Sequence, residues 1–316
     1  MAGIAELGRM KIRIGRPAGG GQRHMPHHLV VENYWAFAFL ALSLVGLVFL
    51  TLIPIVVSFG LSFTDWDALG KANFVGLGNF IQLAHDPTFF RALFNTVYYT
   101  LVSVPLGMAI SLALAVVLNR SLPGMGSFRT LFLIPVISST VATALLWGLM
   151  LDPYIGLVNF ILQALHLPTS GWLTDTHMAM PAIIVMSVWK GLGYNMVLFL
   201  AGLQGVPREL REAARIDGAN RWQEFVNVTL PILSPTTFFV LVISIISSFQ
   251  VFDQTWVLTK GGPQEATTTL VYYVYQTGFQ RLRMGYASAI AYALFFLTLV
   301  VVMIQWAAQK RWVFYQ

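Results

Sequence analysis

The sequence predicts an all-α membrane protein with six transmembrane helices. Three observations carry this. Of 316 residues, 57% are hydrophobic and 10% charged, giving a mean hydropathy of +0.70, outside the range of water-soluble domains. Six nearly uncharged runs are each long enough to cross a hydrocarbon core of about 30 Å, which takes roughly 20 helical residues. None of them alternates as a barrel strand would, and unpaired backbone groups in lipid cost several kcal/mol each, so the runs are helices.

In chain order the runs are Tyr34 to Phe63, Asn95 to Asn119, Leu131 to Leu151, Met178 to Gln204, Leu233 to Leu258 and Tyr286 to Gln309. Pro54, Pro105 and Pro135 fall inside spans and are expected to mark kinks. Residues 1–33 are basic and rich in glycine and histidine, lack a signal-length apolar run, and read as a cytoplasmic tail. The membrane domain then covers 34–309, with its longest charged connection at 205–232, and 310–316 form the C-terminus. An even number of spans puts both ends on one side. That side carries thirteen lysines and arginines against five opposite, so both termini are expected in the cytoplasm.

The net charge of +6 sits mainly beside the spans, where it reads as topology signal and contact with anionic lipid; nucleic acid is not an expected partner. With no cysteine there is no disulfide framework and no thiol chemistry. All six histidines lie outside the spans, which disfavours a metal site, and no G-x-x-x-x-G-K-[ST] loop occurs. The chain is therefore expected to hold no cofactor or metal, and not to be an enzyme: ATP and magnesium would belong to separate subunits. An intramembrane enzyme stands as an alternative of another class.

One connection is unlike the rest: "EAARIDGANRWQEFVNVTLPILSP", Glu212 to Pro235. Pro207 reads as a first-turn proline, and Arg208 to Ile216 as a short helix with Arg208 and Glu212 spaced i,i+4 and Glu212 and Arg215 spaced i,i+3. Leu210, Ala213 and Ala214 share a face small enough to sink into a partner's groove. Asp217-Gly218 stops the helix, Asn220 with Gln223 forms a capping box for a second, and Pro231 begins the return to the membrane. A basic helix lying on headgroups is the plain alternative, but an alanine face inserts weakly, which favours a protein partner.

Glu212-Ala213-Ala214, Gly218 and Val228-Thr229-Leu230-Pro231 together resemble the EAA signature of permease subunits in binding-protein-dependent ABC importers, with Val228 where the family has isoleucine. "FVGLGNF" (74–80), "FDQTWVLTKGGPQEATTTLVYYVY" (252–275) and "GYASA" (285–289) are similar to segments of the carbohydrate-uptake branch. The resemblance implies the type I ABC importer permease fold. It also implies a coupling helix in which Glu212, Ala213, Ala214, Arg215, Asp217 and Gly218 engage a cytoplasmic ATPase, with Glu212 and Arg215 anchoring the dock. The implied partners are a second permease subunit, two ATPase subunits and an extracytoplasmic solute-binding protein docking on the outer loops 65–91 and 260–283. The implied location is a bacterial or archaeal inner membrane.

Two charges lie within spans, Lys190 and Asp253, about 21 and 26 Å from the cytoplasmic ends of their runs at the helical rise. The similar depth permits a pair, and a structural salt bridge is as reasonable as ligand contact. With Tyr194, Asn195, Gln250 and Gln254 they form the candidate substrate pathway, flanked by Trp189, Phe249 and Phe252. Amides and aromatic faces suit a polyhydroxylated solute, although interhelical packing explains any one of them alone. The expected substrate is a sugar or sugar-like polyol, with a glycerol-phosphate ester as alternative. A secondary transporter is the competing carrier; it would want coordinating carboxylates or broken helices.

Overall fold

A computed structural model describes residues 27–119 and 123–314. The predicted tail over 1–26 lies outside the described residues, and a helix already begins at His27. The helices in chain order are α1 (His27–Leu47), α2 (Ile53–Leu61), α3 (Gly78–Leu83), α4 (Pro87–Leu118), α5 (Met125–Ile137), α6 (Thr140–Met150), α7 (Leu157–Ala164) and α8 (Ala179–Gln204). They continue as α9 (Arg208–Ile216), α10 (Arg221–Glu224), α11 (Leu230–Ile232), α12 (Ser234–Phe249), α13 (Asp253–Leu258), α14 (Leu270–Tyr275) and α15 (Met284–Gln309). No strand forms among the described residues, only one isolated bridge, Thr64 to Phe74. The chain divides into two units, 1–55 and 56–316.

Among the described residues, five helical stretches are long and apolar enough to cross a membrane, and six if the bent pair α5 and α6 counts as one span. The prolines act unequally. Pro105 is absorbed within α4, so the expected kink there costs no break in the helix. Pro54 follows a π-helical turn at Val48–Leu52, a widening that accommodates a missing donor. Pro135 precedes a true break: α5 stops at Ile137, α6 starts at Thr140, and the two are bent by 95°. The second span starts earlier than Asn95, because Asp86 caps α4 by accepting from Thr88 N at 2.9 Å with Pro87 in the first turn.

Within 56–316, α4 and α8 pack along each other. At one end Ala115, Met196, Phe199, Leu203 and Leu233 cluster, and at the other Tyr99, Ile183, Ile184 and Val251. Gly193 lets α8 press on α5, since a Cβ there would lie 2.0 Å from the Phe132 carbonyl oxygen. The most apolar windows of these four spans are only 22% to 44% buried within the chain. Such apolar faces require lipid or another subunit to cover them.

Parts of the segments that carried the resemblance hold the fold together. Asn79, of the 74–80 motif, is buried and donates to Ser62 O at 2.8 Å and Thr64 O at 2.7 Å, closing the end of α2. Asn95 likewise holds Glu265 O and Thr268 O, at 2.8 and 2.9 Å. Gly285 leaves room for the Thr64 carbonyl oxygen, which a Cβ would approach to 1.9 Å. The aromatic stretch 270–279 is half internal: Leu270, Tyr272 and Tyr273 are buried, and Tyr273 and Tyr286 hydroxyls both donate to Asp86 Oδ2, at 2.5 and 2.6 Å. One side of this helical stretch packs against α4 and α15.

Candidate functional site

Three helix surfaces and two helix breaks enclose a cavity of about 500 Å³. The walls come from α4, α8 and α12; the breaks are Ser138-Ser139 between α5 and α6, and Gln250 to Phe252 between α12 and α13. Lys190, Tyr194, Asn195, Gln250, Asp253 and Gln254 all line it, so the structure brings the six predicted pathway residues together. Phe252 joins them, whereas Phe249 is buried in packing and Trp189 meets Trp147 in a tilted ring pair with centroids 5.7 Å apart. Irregular backbone at membrane depth is tolerated where it borders a cavity, and both breaks do.

The Lys190–Asp253 ion pair that their similar depth permits does not form among the described residues. Lys190 Nζ donates to Pro135 O at 2.9 Å and Ser138 O at 2.7 Å, carbonyls at the C-terminal end of α5 that the break leaves without helical partners. A cation at a helix C-terminus also meets the favourable end of its dipole. Lys190 is therefore held first by the break it caps, with one ammonium hydrogen left for other acceptors. Asp253 begins α13.

Sequence reasoning missed a set of hydroxyls on the same walls: Tyr99, Ser103, Ser187, Ser244 and Ser247. Their signal was present as helical spacing inside apolar runs, 99 with 103 and 244 with 247 and 248, but single serines in spans commonly bond their own backbone. Here Ser248 Oγ reaches Thr100 Oγ1 across two helices at 2.9 Å, and Asn195 Nδ2 reaches Ser244 Oγ at 3.4 Å.

The charged connection builds as its sequence dictates. Helix α9 ends in a Schellman turn: Gly218 sits at φ +87°, its N–H meets Arg215 O at 3.1 Å, and Ala219 N–H meets Ala214 O at 2.9 Å. A Cβ on Gly218 would touch nothing, so glycine is required for its backbone and not for space. Pro207 is the N-cap, one position before the expected first turn. Asn220 and Gln223 form both bonds of the capping box, each 2.9 Å.

Glu212 makes neither of its expected helical ion pairs among the described residues; it stays exposed on α9 beside Ala213, with Asp217 at the C-cap. Arg215, itself largely exposed, instead clasps the buried Glu224 of α10 through Nε–Oε2 at 2.7 Å and Nη2–Oε1 at 3.2 Å. This hydrogen bond holds the buried Glu224 carboxyl below its usual range, with the Arg211 and Arg221 charges adding to it against the cost of burial. The clasp fixes the angle between the two short helices, and a π-helical turn at Phe225–Thr229 leads on to α12. Ile216 and Trp222 stand 86% and 71% exposed at the module's tip, large apolar contacts that the reading of an alanine face passed over.

A sequence profile of the binding-protein-dependent transport system inner membrane component family matches residues 75–311. The chain is 37% identical over 288 residues to the lactose transport system permease protein LacF of Rhizobium radiobacter, covering 88% of this chain and 95% of that one. It is 36% identical over 254 residues to the sn-glycerol-3-phosphate transport system permease protein UgpA of Yersinia enterocolitica, covering 78% and 83%. Among solved structures, a chain of a bacterial ABC transporter involved in import of the acidic polysaccharide alginate superposes with a TM-score of 0.79 at 26% identity, over 90% of this chain and 98% of the other. With three quarters of its length matched by one family, this protein belongs to the inner-membrane components of binding-protein-dependent importers: it is an ABC transporter permease and not itself an enzyme.

Proposed function

We propose that the chain forms, with a second permease subunit, the pathway for a sugar or sugar-like polyol, and that Glu212 to Gly218 docks in a cytoplasmic ATPase subunit. The carrying observation is the cavity. Its walls offer neutral amides and hydroxyls, donors and acceptors together, beside the rings of Tyr99, Tyr194 and Phe252. A polyhydroxylated ligand needs that combination, hydroxyls for the polar groups and rings for the C–H face. Relatives named for lactose and for alginate support the class. The relative named for sn-glycerol-3-phosphate keeps a phosphate ester as the second reading, favoured here only by the spare ammonium hydrogen of Lys190.

On this reading both termini are cytoplasmic, the Asp86 end faces outward toward a solute-binding protein, and two ATPase subunits that bring ATP and magnesium close on the coupling helices of the permease pair. ATP-driven closure would move α9 and α10 as one body, because Gly218 and the Arg215–Glu224 clasp join them, and the push passes through 225–232 into α12. Broken helices alone would equally suit a secondary transporter, but the family assignment sets that carrier aside.

The absence of cysteine makes a direct test available. Single cysteines at Ala219 and at Lys260, labelled by an impermeant maleimide on right-side-out vesicles carrying the complete importer, should react at Lys260→Cys alone. In the same vesicles, sugar uptake should require ATP inside. Labelling at Ala219→Cys from outside, or uptake driven by an ion gradient without ATP, would overturn the proposal.

A further inference from the structure

Away from the pathway, a second cavity of about 470 Å³ opens beside the module, where Val116 and Asn119 at the end of α4 and Leu203 at the end of α8 meet Arg211, Arg215, Arg221, Glu224 and Phe225. Three guanidinium groups therefore share one cavity with a single carboxylate, and that carboxylate is already taken by Arg215. Arg211 and Arg221 remain as net positive charge. Arg211 is half-buried, and its Nε–H is shielded from solvent without any hydrogen-bond partner. A buried donor of that kind costs about 1–3 kcal/mol unless something supplies an acceptor.

We infer that this cavity is a binding site for the phosphodiester headgroup of an anionic phospholipid. The inference rests on the proposed topology, which puts the ends of α4 and α8 at the inner leaflet. Its level is where two spans end, which is where headgroups lie. Guanidinium forks match phosphate oxygens in pairs, and the two free arginines supply the charge that a zwitterionic headgroup would not require. Next to the arginines, Val116 and Val117 are exposed on α4, an apolar track along which an acyl chain can continue. A free phosphate would use the guanidinium groups and leave that track unused, so the lipid accounts for more of the cavity. Seated there, the headgroup bridges the base of α4 and α8 to the α9–α10 module and braces the module against those two helices.

The test uses the complete importer, purified with both permease subunits and its ATPase subunits and exchanged into phosphatidylcholine with or without phosphatidylglycerol. Native mass spectrometry then counts retained lipid. One phosphatidylglycerol should stay per copy of this chain, retention should fall about tenfold in the Arg211→Gln/Arg221→Gln variant, as expected for lost charge-assisted contacts, and Arg211→Lys should restore part of it. If the double variant does not assemble, Arg221→Gln alone, exposed at the mouth, should still weaken retention. Equal retention by native and variant complexes, retention of phosphatidylcholine as strongly, or displacement of the lipid by inorganic phosphate would each overturn the lipid assignment. Because retention is read without transport, a negative result here is distinguishable from failure of the sugar-uptake reading.

Discussion

The two ends of this protein are built on opposite terms. At the Asp86 end, buried polar groups answer one another: Asn79 and Asn95 each tie two backbone carbonyls, and Asp86 collects Thr88, Tyr273 and Tyr286. At the module end, Ile216, Trp222, Glu212 and Gly218 face solvent, and one arginine–glutamate clasp plus one left-handed glycine hold two short helices in shape. The first end is complete within the chain. The second is shaped but leaves its surface open, as the proposed docking on an ATPase subunit would require. A rigid frame around a moving base gives transmitted force somewhere to go.

The comparison is most sharply broken at Gly218. Gly218→Val puts a β-branched residue at φ +87°, a conformation such side chains rarely adopt, at a cost of roughly 1–2 kcal/mol or more. Because no neighbour crowds the site, the chain should still insert and fold, while uptake falls about tenfold or more and ATP hydrolysis loses its coupling to substrate. Gly218→Asn, which tolerates the left-handed region, should retain most of the uptake. If valine is tolerated as well as asparagine, the lever account fails.

At the frame end, Asn95→Ala orphans the carbonyls of Glu265 and Thr268 and should lower stability by about 1–3 kcal/mol, read as a drop in thermal midpoint of the purified complex. Coupling per folded molecule should stay unchanged. A loss of coupling without a loss of stability would blur the division between the two ends.

The smallest effect concerns pH. Burial pulls the Asp86 carboxyl upward, but the hydrogen bonds from Tyr273, Tyr286 and Thr88 outweigh it and hold the group below its ordinary value of 3.8. A carboxylate depressed in the fold contributes stability that is fully present above that value and is lost as pH falls through the folded one. Thermal midpoint should therefore decline in strong acid, below about pH 4, and Asp86→Asn should flatten that part of the profile. An unchanged profile in the variant would remove Asp86 from the account.

The module was legible residue by residue because its signals are local. A glycine after Asp217, an asparagine three positions before a glutamine and a proline before a charged run need only their own neighbours to act. The polar residues lining the cavity were legible as exceptions, since polar groups inside apolar runs stand out. Their partners were not. Equal depth suggested Lys190 against Asp253, whereas Lys190 meets carbonyls of another helix, a choice set by where α5 breaks. The prolines show the same limit: Pro105 and Pro135 look alike in sequence, yet one lies within an unbroken helix and the other precedes a 95° bend.

What the sequence determined by itself was the apolar spans, the capped module between two of them and the family signature, because apolar length and capping chemistry act over a few residues. Which carbonyl Lys190 serves, that Arg215 clasps Glu224 rather than waiting for a partner, and that two helix breaks meet at one cavity were decided by tertiary structure. Those depend on how helices distant in sequence cross. There the buried donor takes whichever acceptor packing brings within about 3 Å.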